Sequence, residues 1–134
     1  MPTILITGAS GGLAQEMVKL LPNDQLILLG RNKEKLAQLY GNHPQAELIE
    51  IDITDDLALE TLVADLYVRY GKIDVLINNA GYGILEEFDQ ISDQDIHQMF
   101  EVNTFALMNL SRRLAARMKE SRKGHIINIV SMAG

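Results

Sequence analysis

A single α/β domain covering residues 1–134, doubly wound on a parallel sheet of about five strands in the order 3-2-1-4-5, is the fold this sequence predicts. Three observations carry that expectation. Short β-rich runs bounded by turn residues alternate with longer stretches of helical period. Four of the five runs are almost continuously apolar, as strands covered on both faces should be. A glycine-rich turn follows the first run directly, which puts the reversal of strand order beside it.

The strands expected in order are TILIT (3–7), QLILLG (25–30), AELIEID (46–52), IDVLIN (73–78) and HIINIVS (125–131). Leu13, Met17, Leu20 and Leu21 share one face of a first helix that Pro22 closes. A shorter, weakly amphipathic helix spans Arg31 to Tyr40. Leu59, Leu62, Val63, Leu66 and Tyr70 recur at helical spacing, with Thr54 as the expected N-cap. SDQD (92–95) opens the longest helix, which runs to about Arg122. GYGILEEFDQ (81–90) is the one extended loop. Right-handed crossovers then place helices on both faces of the sheet.

A net charge of −6 argues against a nucleic-acid surface as the main function, because phosphate backbones require a concentrated basic face. No apolar run approaches a membrane-spanning length, and MPTILITG lacks the basic region of a signal peptide, so no membrane association and a cytoplasmic location are expected. The absence of cysteine excludes thiolate chemistry and disulfides. His43, His97 and His125 stand apart, with no metal-ligand spacing.

TGASGGLA (7–14) joins the first strand to the first helix. Gly8, Gly12 and Ala14 let a phosphate approach the backbone, where N–H groups and the helix N-terminus favour negative charge. This context is a Rossmann-type dinucleotide signal, against the alternative of a plain tight turn. At the end of the second strand an NAD site carries an acid for the ribose hydroxyls. Here Gly30 stands in that place and Arg31 follows, a residue suited to a 2′-phosphate, which favours NADP(H) over NAD(H). The alternative for Arg31 is a solvent-facing residue of the first helical turn.

With that loop in place, DIT (52–54), NNAG (78–81) and INIVSMAG (127–134) complete a set that resembles the short-chain dehydrogenase/reductase family, classical type, over the whole chain and in the correct order. The resemblance implies an oxidoreductase transferring hydride between a nicotinamide and a carbonyl or alcohol carbon. It implies that Gly8, Ser10, Gly11, Gly12 and Leu13 line the cofactor diphosphate. Arg31 and Asn32 would meet the 2′-phosphate, and Asp52 and Ile53 would flank the adenine. Asn79, Ala80 and Gly81 would pass under a ribose, and Asn103 and Ser131 would belong to the catalytic set. Apart from the resemblance, Asn103 falls in the middle of an apolar stripe of Ile96, Met99, Phe100, Leu107, Leu110 and Leu114, so a buried, hydrogen-bonded amide is expected there. A core asparagine and an asparagine organising an active-site water are both compatible with that position.

In the resembling family the proton donor is a tyrosine with a lysine four residues later, which lowers its pKa. Tyr40, Tyr67, Tyr70 and Tyr82 are followed at that distance by Pro44, Gly71, Asp74 and Glu86. The pair should come about a dozen residues after Ser131, beyond Gly134. The chain is therefore expected to be a truncated, cofactor-binding half, inactive alone, whose small carbonyl or alcohol substrate is met only if it is completed. A non-enzymatic nucleotide-binding or interaction module, and a half-enzyme completed by another chain, are the alternatives. A second apolar strip on the long helix (Val102, Phe105, Ala106, Met108 and Leu114) and the uncharged run HIINIV predict a homo-oligomer built on the 95–122 helix or the 125–131 edge strand.

Overall fold

The computed structural model describes residues 1–81 and 88–129. Five parallel strands form one sheet in the order β3-β2-β1-β4-β5. They are β1 (Thr3–Ile6), β2 (Gln25–Gly30), β3 (Ala46–Glu50), β4 (Val75–Asn78) and β5 (His125–Asn128). The helices are α1 (Gly12–Lys19), α2 (Lys33–Tyr40), α3 (Asp56–Tyr70), α4 (Asp93–Phe100) and α5 (Leu107–Ser121), with a π turn (Glu101–Ala106) joining the last two. The predicted sheet order is the observed one. Three of the five strands, β1, β3 and β5, end one or more residues earlier than expected, and β4 begins two residues later. Part of the 81–90 loop and the end of the 125–131 run, Ser131 included, lie outside the described residues.

Strand alternation sends successive side chains to opposite faces, and each face has its own core. Leu5, Ile27, Leu29 and Leu76 meet Leu59, Val63 and Leu66 of α3 and Leu110, Leu114 and Met118 of α5. Ile4, Ile6, Leu26, Leu28 and Ile77 meet Ala14 and Val18 of α1 and Leu36 and Tyr40 of α2. A fully buried leucine stabilises by about 2 kcal/mol, against at most about 1 kcal/mol for an exposed ion pair, so these contacts and not the surface charges hold the helices on.

The face of α1 differs from the expected one. Ala14 and Val18 are buried, whereas Leu13 and Leu20 are 52% and 80% exposed. The helix begins only at Gly12, and its small Ala14 lets the backbone close onto the sheet, which turns Leu13 outward. Asn32 caps α2 through its side-chain oxygen on the Lys35 N–H, so Arg31 precedes the helix. The cap of α3 is Asp55, not Thr54, because the Thr54 N–H and hydroxyl both donate to Asp52 Oδ1. Ser92 caps α4 as expected.

The largest correction concerns the long helix. Asn103 is exposed, not buried. It lies in the π turn, whose extra residue rotates the preceding helix by about 100° against an unbroken α-helix. The buried stripe therefore starts at Ala106 and continues through Leu110, Leu114 and Met118, while α4 has no buried residue. Ala106 and Leu114 belong to this core stripe and not to a second, outward strip; Phe100, Phe105 and Met108 are exposed, as are Ile127 and Ile129 at the β5 edge.

The opposite edge adds a charged network to the apolar packing. Arg69 of α3 donates to both carboxylate oxygens of Glu47 on β3 and to Asp65, and the Tyr70 hydroxyl also donates to Glu47. Arg69 above all, then the Tyr70 hydroxyl, hold the Glu47 carboxyl below its ordinary value, against the opposing effect of burial. A depressed carboxyl contributes stability that is present above its unfolded pKa and lost as pH falls through the folded one. The urea midpoint of the wild type should therefore fall as pH drops below the ordinary value of 4.5. Glu47→Gln should start lower at neutral pH and fall less steeply. Parallel curves for the two proteins would remove Glu47 from the acid response.

Candidate functional site

The carboxyl ends of β1, β2, β3 and β4 open on one rim, and the predicted residues at their ends assemble there. The β1 and β4 ends are fastened together by Thr7. It is 1% exposed, and its hydroxyl oxygen accepts from the N–H groups of Asn79 and Ala80, both at 2.9 Å. Asn79 Nδ2 donates in turn to the Gly8 carbonyl at 3.1 Å. Gly8 has φ +61°, and a Cβ there would lie 2.7 Å from the Ala80 Cα, so glycine is required both by the conformation and by the close approach of the β4 loop.

The turn then delivers α1 with its amino end open. Gly11 caps the helix with no side-chain hydrogen bond, so the N–H groups of Gly12, Leu13 and Ala14 receive no capping side chain. A Cβ at Gly12 would meet nothing within 4 Å. Ser10 is half-buried beside it. Uncapped N–H groups, a helix dipole and an unobstructed glycine together suit a diphosphate.

At the β2 end Gly30 is buried under Leu36, whose methyl groups would meet a Cβ at 3.0 to 3.1 Å. Arg31 is exposed at the rim. The Asp52 carboxyl is held below its usual range by the Thr54 hydroxyl first and the Thr54 N–H second, with the Arg31 charge adding to them against burial. Arg31 and Asp52 therefore share one patch. Asn32 reaches the same patch, but its side-chain oxygen is committed to the α2 cap. The Ile53 side chain points into the core with Leu59 and Val63, which leaves only its backbone for a ligand.

The structure also brings Asn103 to this rim. A Cβ on Gly81 would lie 2.7 Å from Asn103 Oδ1, so the π turn abuts the end of the NNAG segment. Thr7, Asn78 and Glu50 were not visible as site-forming residues from the sequence. Asn78 is 2% exposed and donates to Ser111 Oγ and Asn128 Oδ1, locking β4 to α5 and β5. Glu50 pairs with Gly30 in the sheet register, and its carboxylate accepts from the Lys33 N–H at 2.9 Å. The only available signal was their position at strand ends, which does not reveal partners on other strands.

Residues 2–134 match the short chain dehydrogenase family. The chain belongs to that family. Among solved structures, a short-chain dehydrogenase from Streptomyces avermitilis is 33% identical with a TM-score of 0.90, aligned over 97% of this chain and 49% of its own. The closed form of serine dehydrogenase complexed with NADP+ is 30% identical with a TM-score of 0.90, over 98% of this chain and 55% of its own. The NADP-dependent 3-hydroxy acid dehydrogenase of Shigella flexneri is 30% identical over 135 residues, 98% of this chain and 54% of that protein. The short-chain dehydrogenase chain described here thus spans about half the length of the curated relatives it matches. Among the described residues no helix is long and apolar enough to cross a membrane.

Proposed function

We propose that this short-chain dehydrogenase chain binds NADP(H), in preference to NAD(H), as the cofactor-binding part of an oxidoreductase that interconverts a carbonyl and an alcohol. The observation that carries the reading is the open amino end of α1, presented by a Gly8 turn that Thr7 and Asn79 hold in place. In this reading Gly8 shapes the turn while Ser10, Gly11, Gly12 and Leu13 face the diphosphate. Arg31 pairs with the 2′-phosphate, Asp52 meets the adenine, and the backbone of Asn79 to Gly81 runs beneath a ribose. Asn103 and Ser131 belong to the reacting end. When bound, the nicotinamide supplies the hydride.

The names of the serine dehydrogenase complex and the 3-hydroxy acid dehydrogenase support the cofactor preference, as does the absence of an acid at Gly30. Glu50 works against it, because its carboxylate occupies the α2 amino end beside Arg31. None of the described tyrosines is prepared as a proton donor. Burial raises Tyr40 and Tyr67, and burial followed by Glu47 pushes Tyr70 up to about 12.

Calorimetric titration with both dinucleotides tests the reading. NADPH should bind more tightly than NADH. Arg31→Ala should weaken NADPH by about tenfold, the size of one charge-assisted hydrogen bond, and leave NADH within about twofold. Equal affinities in the wild type, or an Arg31→Ala effect shared by both dinucleotides, would overturn the preference.

A further inference from the structure

The glycine loop contains three successive carbonyls that a bound anion would have to avoid. Each is taken by a side chain from a different element. Asn79 Nδ2, after β4, donates to Gly8 O at 3.1 Å. Gln15 Nε2, in α1, donates to Ser10 O at 3.3 Å. Between them the Tyr40 hydroxyl, from the last residue of α2, donates to Ala9 O at 2.5 Å.

Tyr40 reaches the loop because helical side chains lean toward the amino end of their helix, and the amino end of α2 lies at the rim. Its ring is part of the core that includes Ala9, Ala14, Val18 and Leu36. Ala9 is fully buried and its N–H donates to Leu29 O, so its carbonyl is shielded from bulk water and meets the Tyr40 hydroxyl instead. Burial also raises the phenol above its ordinary value, which keeps it a donor throughout the neutral range.

We propose that Tyr40 is a positioning residue for the diphosphate loop: its hydroxyl fixes the Ala9 carbonyl, so that an arriving diphosphate meets N–H groups and not carbonyl lone pairs. The same bond makes α2, which follows directly on Arg31, and the glycine loop one rigid body. The distance between the two phosphate-binding regions is thereby set before any ligand arrives. The inference rests on the dinucleotide reading above for its purpose, but the loop order it predicts exists without ligand.

The test is Tyr40→Phe in the full chain, read by amide hydrogen exchange and by NADPH titration. Exchange at Ala9 and Gly11, whose N–H groups bond to Leu29 O and Gly8 O, should accelerate by about tenfold more than exchange at the sheet residues Leu28 and Leu76. NADPH affinity should fall by about tenfold, the equivalent of one lost hydrogen bond. Val18→Ala, in the same core but bonded to no loop carbonyl, supplies a loss of global stability for comparison and should leave the loop-to-sheet exchange ratio unchanged. If Tyr40→Phe accelerates loop and sheet amides equally, or behaves as Val18→Ala does, Tyr40 is structural only and the inference fails. If the wild type binds no dinucleotide, the proposed function fails, and the exchange comparison still decides whether Tyr40 orders the loop.

Discussion

Replacing Thr7 by valine should destabilise the protein by about 2–4 kcal/mol, because two N–H groups lose the Thr7 hydroxyl as their acceptor at once. Valine keeps the shape and the burial of the residue, so the cost isolates the hydroxyl. A small domain is stable by roughly 5–15 kcal/mol, which makes this a large fraction of the total. Thr7→Ser keeps the hydroxyl and loses one methyl, and should cost only about 1 kcal/mol. Urea unfolding with an unchanged slope measures both. A valine variant within about 0.5 kcal/mol of the wild type would mean that water replaces the hydroxyl and that β1 and β4 are not fastened there.

The two glycines of the loop should respond in opposite ways to one added methyl group. Gly8→Ala places a residue other than glycine at φ +61° and a Cβ 2.7 Å from the Ala80 backbone. The conformation alone costs about 1–2 kcal/mol, and the overlap can be relieved only by separating the strand ends that Thr7 joins, so a loss of about 3 kcal/mol or more is expected. Gly12→Ala meets nothing within 4 Å and replaces the poorest ordinary helix former by the best, so stability should hold or rise by up to about 1 kcal/mol. In the proposed reading the added methyl stands where the diphosphate approaches, so NADPH affinity should drop. Thermal unfolding separates the pair. A stable Gly8→Ala, or a Gly12→Ala that unfolds as readily as Gly8→Ala, would contradict the assignment of the first glycine to architecture and the second to the ligand side.

The sheet could be read from the sequence because four of the five parallel strands fall in almost continuously apolar runs, and the glycine turn marks where the order reverses. The places where Gly8, Arg31, Asp52 and Asn79 fall could be read for the same reason: strand ends are visible in a chain of alternating elements. What could not be read was set by contacts across the sequence or by departures from ideal geometry. Thr7 meets residues more than seventy positions away. The π turn has no pattern of its own, yet it moves Asn103 from an expected core position to the rim beside Gly81. The Ile53 side chain turned inward because the segment after β3 packs under α3, a tertiary choice that the three letters DIT do not encode. Ser131 lies outside the described residues.

The placement of β1 at the centre of the sheet has a consequence for how the chain acquires its shape. Its neighbour β4 begins at Val75, and the bonds Thr3 N–H to Asp74 Oδ2 and Thr7 to Asn79 and Ala80 close loops of 71 to 73 residues. The entropy of such a closure is lost before the contacts return it, so parallel pairing at this separation makes folding slow. During synthesis β1 and β2 can pair early, but the floor beneath Gly8 exists only after β4 has emerged. The growing chain thus holds a half-formed sheet with an open edge on β1 for the time needed to add some fifty residues after β2, several seconds at ordinary elongation rates of about 5–20 residues per second. Throughout that interval Ile4 and Ile6 lack their partner strand, which makes this the window in which chaperone capture or misassociation has most influence on yield.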